Sequence, residues 1–403
     1  MQIIMPYEEY VIRKNLGSVF HLKGKSLLLH KICFELTERC NSNCLHCYIN
    51  LPADDLEAKK KELSTIEIKE IFKDAVSLGC LEVIFSGGEP LLRDDFEELY
   101  LCARRLGLRT VIFTNGTLID RYLAELFSKV PPLEKIEVSV YGIKKDSYES
   151  VTRTPNSFEA CLRGIDLLLK FKIPFVVKGA ILPQNKEDIE KLDNWAVKTL
   201  GMGHLPRYTV NLNLHARGDE KRNIAIRKLR ISPGESVSVL TRNLDNYMRD
   251  RKEFCAKFMG PPGERIFSCG AGRGKPCIDA YGALQPCMLL RHPACVYDLK
   301  KGSLKEALVN FFPNMRKIKA TNREYLRRCA QCFLKSLCEQ CPAQSWMEHG
   351  TLDTPVEYFC GRAHAEARFL GLLKNGEMAW EVNDWQERIL ALSDEAISAQ
   401  VLS

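Results

Sequence analysis

The sequence predicts an α/β chain built on a parallel sheet. From residue 31 onward, short runs rich in Val, Ile and Phe alternate with amphipathic stretches. Gly79, Gly107 and Gly201 follow those stretches where helices should end. Strand alternating with helix argues for parallel pairing. Six such units are too few for a full eight-unit barrel, which leaves a partial barrel or a doubly wound sheet. In either, ligands belong at the C-terminal ends of the strands.

Taken in order, residues 1–30 form a short segment in which Tyr10–Phe20 alternates around a Gly turn, as a hairpin would. Strands are expected at 31–37, 82–87, 109–114, 134–141, 175–182 and 207–214. The stretch Ser64-Thr-Ile-Glu67 reads as a capping box. It opens a helix whose apolar positions are Ile68, Ile71, Phe72, Ala75 and Val76. Further helices are expected at 96–106, 119–127, 158–171 and 189–200. Residues 216–235 read as a polar, basic connection with a solvated surface, followed by one helix over 236–251. Residues 361–403 read as helical, with Trp380, Trp385, Ile389 and Leu390 on an apolar stripe. The expected domains are 1–30, 31–252, 253–361 and 362–403.

The chain has 403 residues, 45% hydrophobic and 27% charged, ordinary for a globular protein. No apolar run of about eighteen residues is present, so no membrane span is expected. The start, Met1-Gln-Ile-Ile-Met-Pro6, is too short for a signal peptide, and a cytoplasmic location follows. Net charge is +7 with dispersed Lys and Arg. That pattern does not indicate nucleic acid and suits an anionic substrate or acidic peptide equally well. Seventeen cysteines, an odd number, fit complete pairing poorly. In a cytosolic chain they point to metal or catalysis.

The first cysteine group is Cys40, Cys44 and Cys47, spaced Cys-x3-Cys-x2-Cys directly after the apolar run 31–37. A [4Fe–4S] cluster takes four cysteines, so three in one loop leave one iron open. A structural zinc wants four closed ligands and is the alternative. A second motif, Glu82-Val-Ile-Phe-Ser-Gly-Gly-Glu-Pro90, ends a strand at the same side of the sheet. Together these stretches resemble the radical S-adenosylmethionine (SAM, AdoMet) superfamily. The resemblance implies a partial (β/α)6 barrel, a cluster on Cys40, Cys44 and Cys47, and SAM on its open iron. Gly87, Gly88, Glu89 and Pro90 would then meet the methionyl amino group. Asn115, Ser139 and Arg153 would hold ribose and carboxylate. The implied chemistry is reductive cleavage of SAM to a 5′-deoxyadenosyl radical that takes hydrogen from a substrate carbon. No catalytic acid or base is identified.

Cysteines return at Cys269, Cys277, Cys287, Cys329, Cys332, Cys338, Cys341 and Cys360. Eight suffice for two four-ligand sites, and two zinc sites are the alternative. The approach Gly282-Ala-Leu-Gln-Pro-Cys287 follows Asp279-Ala-Tyr281 as a hairpin. This resembles the SPASM extension of radical SAM enzymes, which carries two auxiliary [4Fe–4S] clusters and makes three in all. The family pattern ends Cys-x5-Cys-x3-Cys, whereas this chain has Cys-x5-Cys-x2-Cys. By resemblance, Cys269, Cys277, Cys287 and Cys341 bind one cluster. Cys329, Cys332, Cys338 and Cys360 bind the other. Cys255 and Cys295 lie near enough in sequence to replace an assigned ligand. Cys33, Cys80, Cys102 and Cys161 read as core residues.

The extension, and the stretch from Cys341 to Cys360, look most like maturases of ribosomally made peptides. That implies a peptide substrate that is crosslinked, epimerised or excised, a separate leader-peptide recognition protein, and a ferredoxin or flavodoxin as electron donor. Sulfatase-maturing enzymes are similar but place Asp after the hairpin cysteine, where this chain has Met288. A haem-biosynthesis decarboxylase of porphyrin propionates is the enzymatic alternative, and a zinc or iron–sulfur scaffold the non-enzymatic one. Anaerobic reconstitution should load about twelve irons per chain, four for each of three clusters. A load near four irons with zinc retained would refute the two C-terminal clusters.

Overall fold

Six parallel strands lie side by side in chain order in the computed structural model, which describes residues 29–216, 218–338 and 341–392. They are β1 (Lys31–Thr37), β2 (Glu82–Gly87), β3 (Arg109–Thr114), β4 (Leu133–Ser139), β5 (Phe175–Ala180) and β6 (Arg207–Thr209). The order β1-β2-β3-β4-β5-β6 has no switch point, so the sheet follows the barrel path and not the doubly wound one. The outer edge of β1 is taken by β7 (Cys277–Ile278), which pairs Cys33 with Cys277 in parallel. Then come β8 (Ala283–Gln285) and β9 (Tyr297–Asp298), both antiparallel. The expected hairpin before Cys287 is therefore present, and it extends the barrel sheet.

The helices arise where capping and apolar periodicity place them. Ser64 and Glu67 form a complete capping box on α1 (Thr65–Ser77). Its Phe72 meets Phe34 of β1 at 5.7 Å and Phe85 of β2 at 5.9 Å. Phe96 and Tyr100 of α2 (Phe96–Arg105) continue this aromatic layer to Phe127 of α3 (Arg121–Lys129). α4 (Lys145–Thr152), α5 (Ser157–Lys170) and α6 (Ile189–Lys198) follow. Strand β1 is buried at six of its seven residues. A parallel strand covered on both faces reads as a continuous apolar run, as this one does.

The chain divides into two compact units. The first contains 29–209, 215–226 and 270–313; the second contains 210–214, 227–269 and 314–392. Residues 270–313, grouped with 253–361 on sequence, thus lie in the first unit. The core of the second joins α8 (Pro233–Leu240), α9 (Leu244–Phe258) and α11 (Glu357–Phe369), with Phe333, Leu334, Leu337, Ala363 and Ala367 buried.

Three expectations change. The strand over 207–214 ends at Thr209, because side chains of the second unit take the next backbone groups. Tyr358 donates to Val210 O and Arg230 to Leu212 O. The single helix over 236–251 is two, divided where Asn243 caps the N-terminus of α9. The basic connection contains a helix, α7 (Glu220–Lys228), and Arg230 is half-buried, paired with Glu348 and 4.5 Å over the Tyr358 ring. The hairpin expected in residues 10–20 and the chain end after 392 lie outside the described residues. No helix among the described residues is long and apolar enough to cross a membrane.

Glu366 is fully buried on α11. It pairs with Arg362 at 3.0 Å and Arg251 at 3.0 Å and accepts from Tyr247 Oη at 2.9 Å. Glu366→Ala would leave the buried Arg362 guanidinium uncompensated and should cost the second unit about 3–5 kcal/mol. Denaturant unfolding of the variant checks this; an unchanged midpoint would show the network is dispensable.

Candidate active site

The three-cysteine loop is anchored by backbone, at the C-terminal end of β1. Gly88 N donates to Thr37 O at 2.7 Å and Glu89 N to Arg39 O at 2.9 Å. This approach needs glycine at both positions. A Cβ on Gly87, whose φ is +124°, would overlap the Thr37 carbonyl oxygen, and one on Gly88 would overlap those of Glu38 and Arg39. Arg39 is held in turn by Glu62, through Nε at 2.8 Å and Nη2 at 3.1 Å.

The other end of the loop is clamped from two sides. Asn43 N donates to Thr152 O at 3.1 Å and Leu45 N to Val151 O at 3.0 Å. Arg222 of α7 donates to Asn50 Oδ1 at 2.5 Å and reaches Asn43 Oδ1 at 3.4 Å. Its charge acts on Cys47 and favours the thiolate, against a larger effect of burial. Burial pushes the Cys44 thiol up to about 12, and Cys47 adds to the rise. Burial likewise raises Cys40, with Glu89 and Cys47 contributing. Three desolvated sulfurs that oppose one another's ionisation suit a positively charged iron–sulfur group, which supplies the missing cation. His46, between the second and third cysteines, is pushed down to about 4 by burial and packs edge-on against Tyr141 at 5.1 Å.

The expected SAM-holding residues fall around this loop in different states. Glu89 is fully buried and accepts from Thr114 Oγ1 at 2.9 Å, Asn115 N at 2.8 Å and Leu91 N at 3.1 Å. Burial pushes its carboxyl up to about 7 against those hydrogen bonds. Pro90 starts the turn that follows. Asn115 donates to Asn41 Oδ1 at 2.8 Å, accepts from Thr117 and lies 3.9 Å from Cys40 Sγ. Its side chain therefore braces the loop. Ser139 ends β4, half-buried, and is bonded to the Tyr141 phenol, which in turn bonds to Cys44. Arg153 is exposed, next to the Val151–Thr152 backbone that clamps the loop, with φ +54°.

Three contributors escape the sequence reading. Tyr141 and Arg222 are two. The third is the pair of Glu35, fully buried in β1, with Arg291, whose Nη2 donates at 2.7 and 3.0 Å. Tyr281 adds a bond to Glu38 at 3.0 Å. A carboxylate in the middle of an apolar strand was the available signal, because buried charges require partners.

The eight C-terminal cysteines are distributed unevenly. Cys277 and Cys287 lie in the first unit; Cys269, Cys329, Cys332, Cys338, Cys341 and Cys360 lie in the second. Cys277 is fully buried beside Cys33. Cys287 is half-buried, with Cys295 close enough for their charges to interact. Cys269 is exposed, and Cys341 precedes α10 (Pro342–His349). Cys255 is buried in the apolar core. Cys329, Cys332, Cys338 and Cys360 together line one pocket, with Arg328, Lys335, His364 and Trp380. Among the described residues no three Cys, His, Asp or Glu side chains converge as ligands of a single metal ion would.

Comparison with known proteins gives the following. The Radical SAM superfamily matches residues 34–196. The AdoMet-dependent heme synthase of Methanosarcina barkeri is 26% identical over 334 residues, 79% of this chain and 93% of that protein. The PqqA peptide cyclase of Gluconobacter oxydans is 30% identical over 255 residues, 60% of this chain and 68% of that protein. Native anSMEcpe with bound AdoMet has the same fold, with a TM-score of 0.62 at 15% identity over 91% of this chain and 100% of that one. It has also been solved with a Cp18Cys peptide.

Gly88→Ala should displace the cysteine loop while leaving the sheet intact. Cleavage of SAM to 5′-deoxyadenosine should fall about 100-fold, the usual penalty for a misplacement of about 1 Å. Product chromatography on the reconstituted variant checks this, and near-normal cleavage would show the backbone splice is not required.

Proposed function

The chain belongs to the radical SAM superfamily, and we propose that it modifies a ribosomally made peptide with the help of two auxiliary clusters in a SPASM-type extension. A [4Fe–4S] cluster and SAM come with the family, and when bound they supply a radical that abstracts hydrogen from a substrate carbon. Cys40, Cys44 and Cys47 would hold that cluster. Gly87, Gly88, Glu89 and Pro90 shape the backbone that receives the methionyl end. Asn115, which also braces the loop, Ser139, beside the Tyr141 phenol, and the exposed Arg153 would meet ribose and carboxylate, Arg153 as a bidentate donor.

The observation that carries the auxiliary reading is the cavity lined by Cys329, Cys332, Cys338 and Cys360. Those four are the cysteines that the SPASM pattern groups for one cluster. Cys269, Cys277, Cys287 and Cys341 would hold the other. Cys295, beside Cys287, is the substitute if Cys277 stays in the sheet with Cys33. The likeness to a peptide cyclase over 68% of its length supports a peptide substrate. So does a fold neighbour solved with a peptide. A separate leader-recognition protein and a ferredoxin or flavodoxin donor complete this reading.

A second reading has its own observation: the match spanning 93% of the M. barkeri heme synthase. On that reading the substrate is a propionate-bearing tetrapyrrole, and the chain's excess of cations would receive its carboxylates.

The reconstituted enzyme should be given short Cys- or aromatic-rich peptides encoded beside its gene, and separately an iron coproporphyrin, with products followed by mass. Loss of hydrogen from a peptide, abolished when Cys40, Cys44 and Cys47 are all replaced by Ala, is the expected outcome. Loss of carbon dioxide from the tetrapyrrole with every peptide untouched would overturn the peptide reading.

A further inference from the structure

Cys360 is half-buried and differs from an ordinary thiol in what surrounds its sulfur. Arg328 Nη2 lies 3.6 Å from Cys360 Sγ. His364 Nδ1 lies 3.6 Å from the same sulfur and 2.8 Å from the Cys360 carbonyl oxygen. The imidazole tautomer follows from its other nitrogen. Ala379 N donates to His364 Nε2 at 3.2 Å, so Nε2 is the acceptor and Nδ1 carries the hydrogen. Arg328 therefore presents an N–H donor to the sulfur, and the single Nδ1–H of His364, bonded first to the Cys360 carbonyl oxygen, is shared with it.

Neither donor is free to swing away. Arg328 is forked onto Glu357, with Nη1 to Oε1 at 2.7 Å and Nη2 to Oε2 at 3.0 Å, and its guanidinium lies 4.6 Å over the Trp380 ring. His364 is 5% exposed and packs edge-on against Trp380 at 5.4 Å. Arg328, His364 and Trp380 all line the four-cysteine cavity. The carboxylate balancing Arg328 belongs to a side chain 70% exposed. Solvent screens that carboxylate more than it screens the guanidinium, whose own side chain is 14% exposed.

We propose that Arg328 and His364 are positioning residues that raise the reduction potential of the cluster held by Cys329, Cys332, Cys338 and Cys360, acting through hydrogen bonds to the Cys360 sulfur. The physical basis is general. A donor or positive charge at a ligating sulfur stabilises the form carrying the extra electron, and hydrogen bonds to sulfur are among the protein's levers on such potentials. Glu357 opposes Arg328, so the two define a charge balance at the mouth of the cavity. The proposal rests on the auxiliary-cluster reading above.

The test is an EPR-monitored redox titration of the reconstituted full chain and three variants. Arg328→Gln should move the midpoint of the second-unit cluster negative by a factor of about ten in the reduction equilibrium, ~59 mV for one electron. His364→Phe should move it the same way. Glu357→Gln should move it positive, a reversal that general damage to the site would not produce. The Cys40, Cys44 and Cys47 cluster should keep its potential in all three. If the wild type holds no cluster that Cys329→Ala abolishes, the auxiliary reading itself fails. If that cluster is present but Arg328→Gln and Glu357→Gln leave its midpoint unmoved, or move it in the same direction, this proposal is wrong while the auxiliary reading stands.

Discussion

The structure of the first unit depends on two backbone hydrogen bonds, Gly88 N to Thr37 O and Glu89 N to Arg39 O. They splice the end of one parallel strand onto the segment leaving its neighbour, at the point where that segment becomes the cysteine loop. Without them the loop would be a surface excursion, with three thiols averaged over many positions. With them it is an extension of the sheet. The requirement is steric, since the two chains meet where no Cβ fits. The Glu89 carboxylate then carries the constraint one strand further, by bonding Thr114 and Asn115 of β3 and its loop. Asn115 closes the circuit by bracing Asn41.

Charge is used in a way composition does not reveal. A net charge of +7 on dispersed Lys and Arg suggests a solvated surface. Yet Arg222 clamps the cysteine loop, Arg291 neutralises Glu35 inside the first unit, and in the second the buried Arg362 and the half-buried Arg230 pair with carboxylates. Buried pairs of this kind seldom stabilise a fold better than apolar residues would, but removing one partner is costly. Their effect is to fix where each element sits. The positions of the cysteines depend on that fixing, since Arg222 holds the loop that carries Cys44 and Cys47.

The two units handle thiols by different means. In the first, three sulfurs are gathered by one loop, so their proximity is local in sequence. In the second, the four-cysteine cavity draws on three separate stretches: the turn Cys329–Gln331 with Cys332, the helix ending at Cys338, and the start of α11 with Cys360. Packing of Phe333, Leu334 and Leu337 against Ala363 and Ala367 brings these together. Apolar burial thus sets the spacing of these four cysteines, and Arg328, His364 and Trp380 come to the same pocket as a consequence.

What the sequence determined by itself was whatever is local. Strand periods, the Ser64–Glu67 capping box, the cysteine spacings and Gly87-Gly88 are each read within a dozen residues, and the strands and helices of the first unit follow within a few positions. Chain-order strand pairing did not follow, since a partial barrel and a doubly wound sheet share the same local patterns and only the strand order separates them. Only tertiary structure decided the rest. The strand expected through residue 214 stops at Thr209 because Arg230 and Tyr358, distant in sequence, take its carbonyls. The helix over 236–251 breaks because an Asn243 cap outweighs continued periodicity. Residues 270–313 join the barrel sheet because Cys277 and Ile278 find the open edge of β1. Glu35 and Arg291, 256 positions apart, meet because neither can be buried alone. Local patterns record which elements form. Partners for buried polar groups are chosen across the whole chain, and no short window of sequence contains that choice.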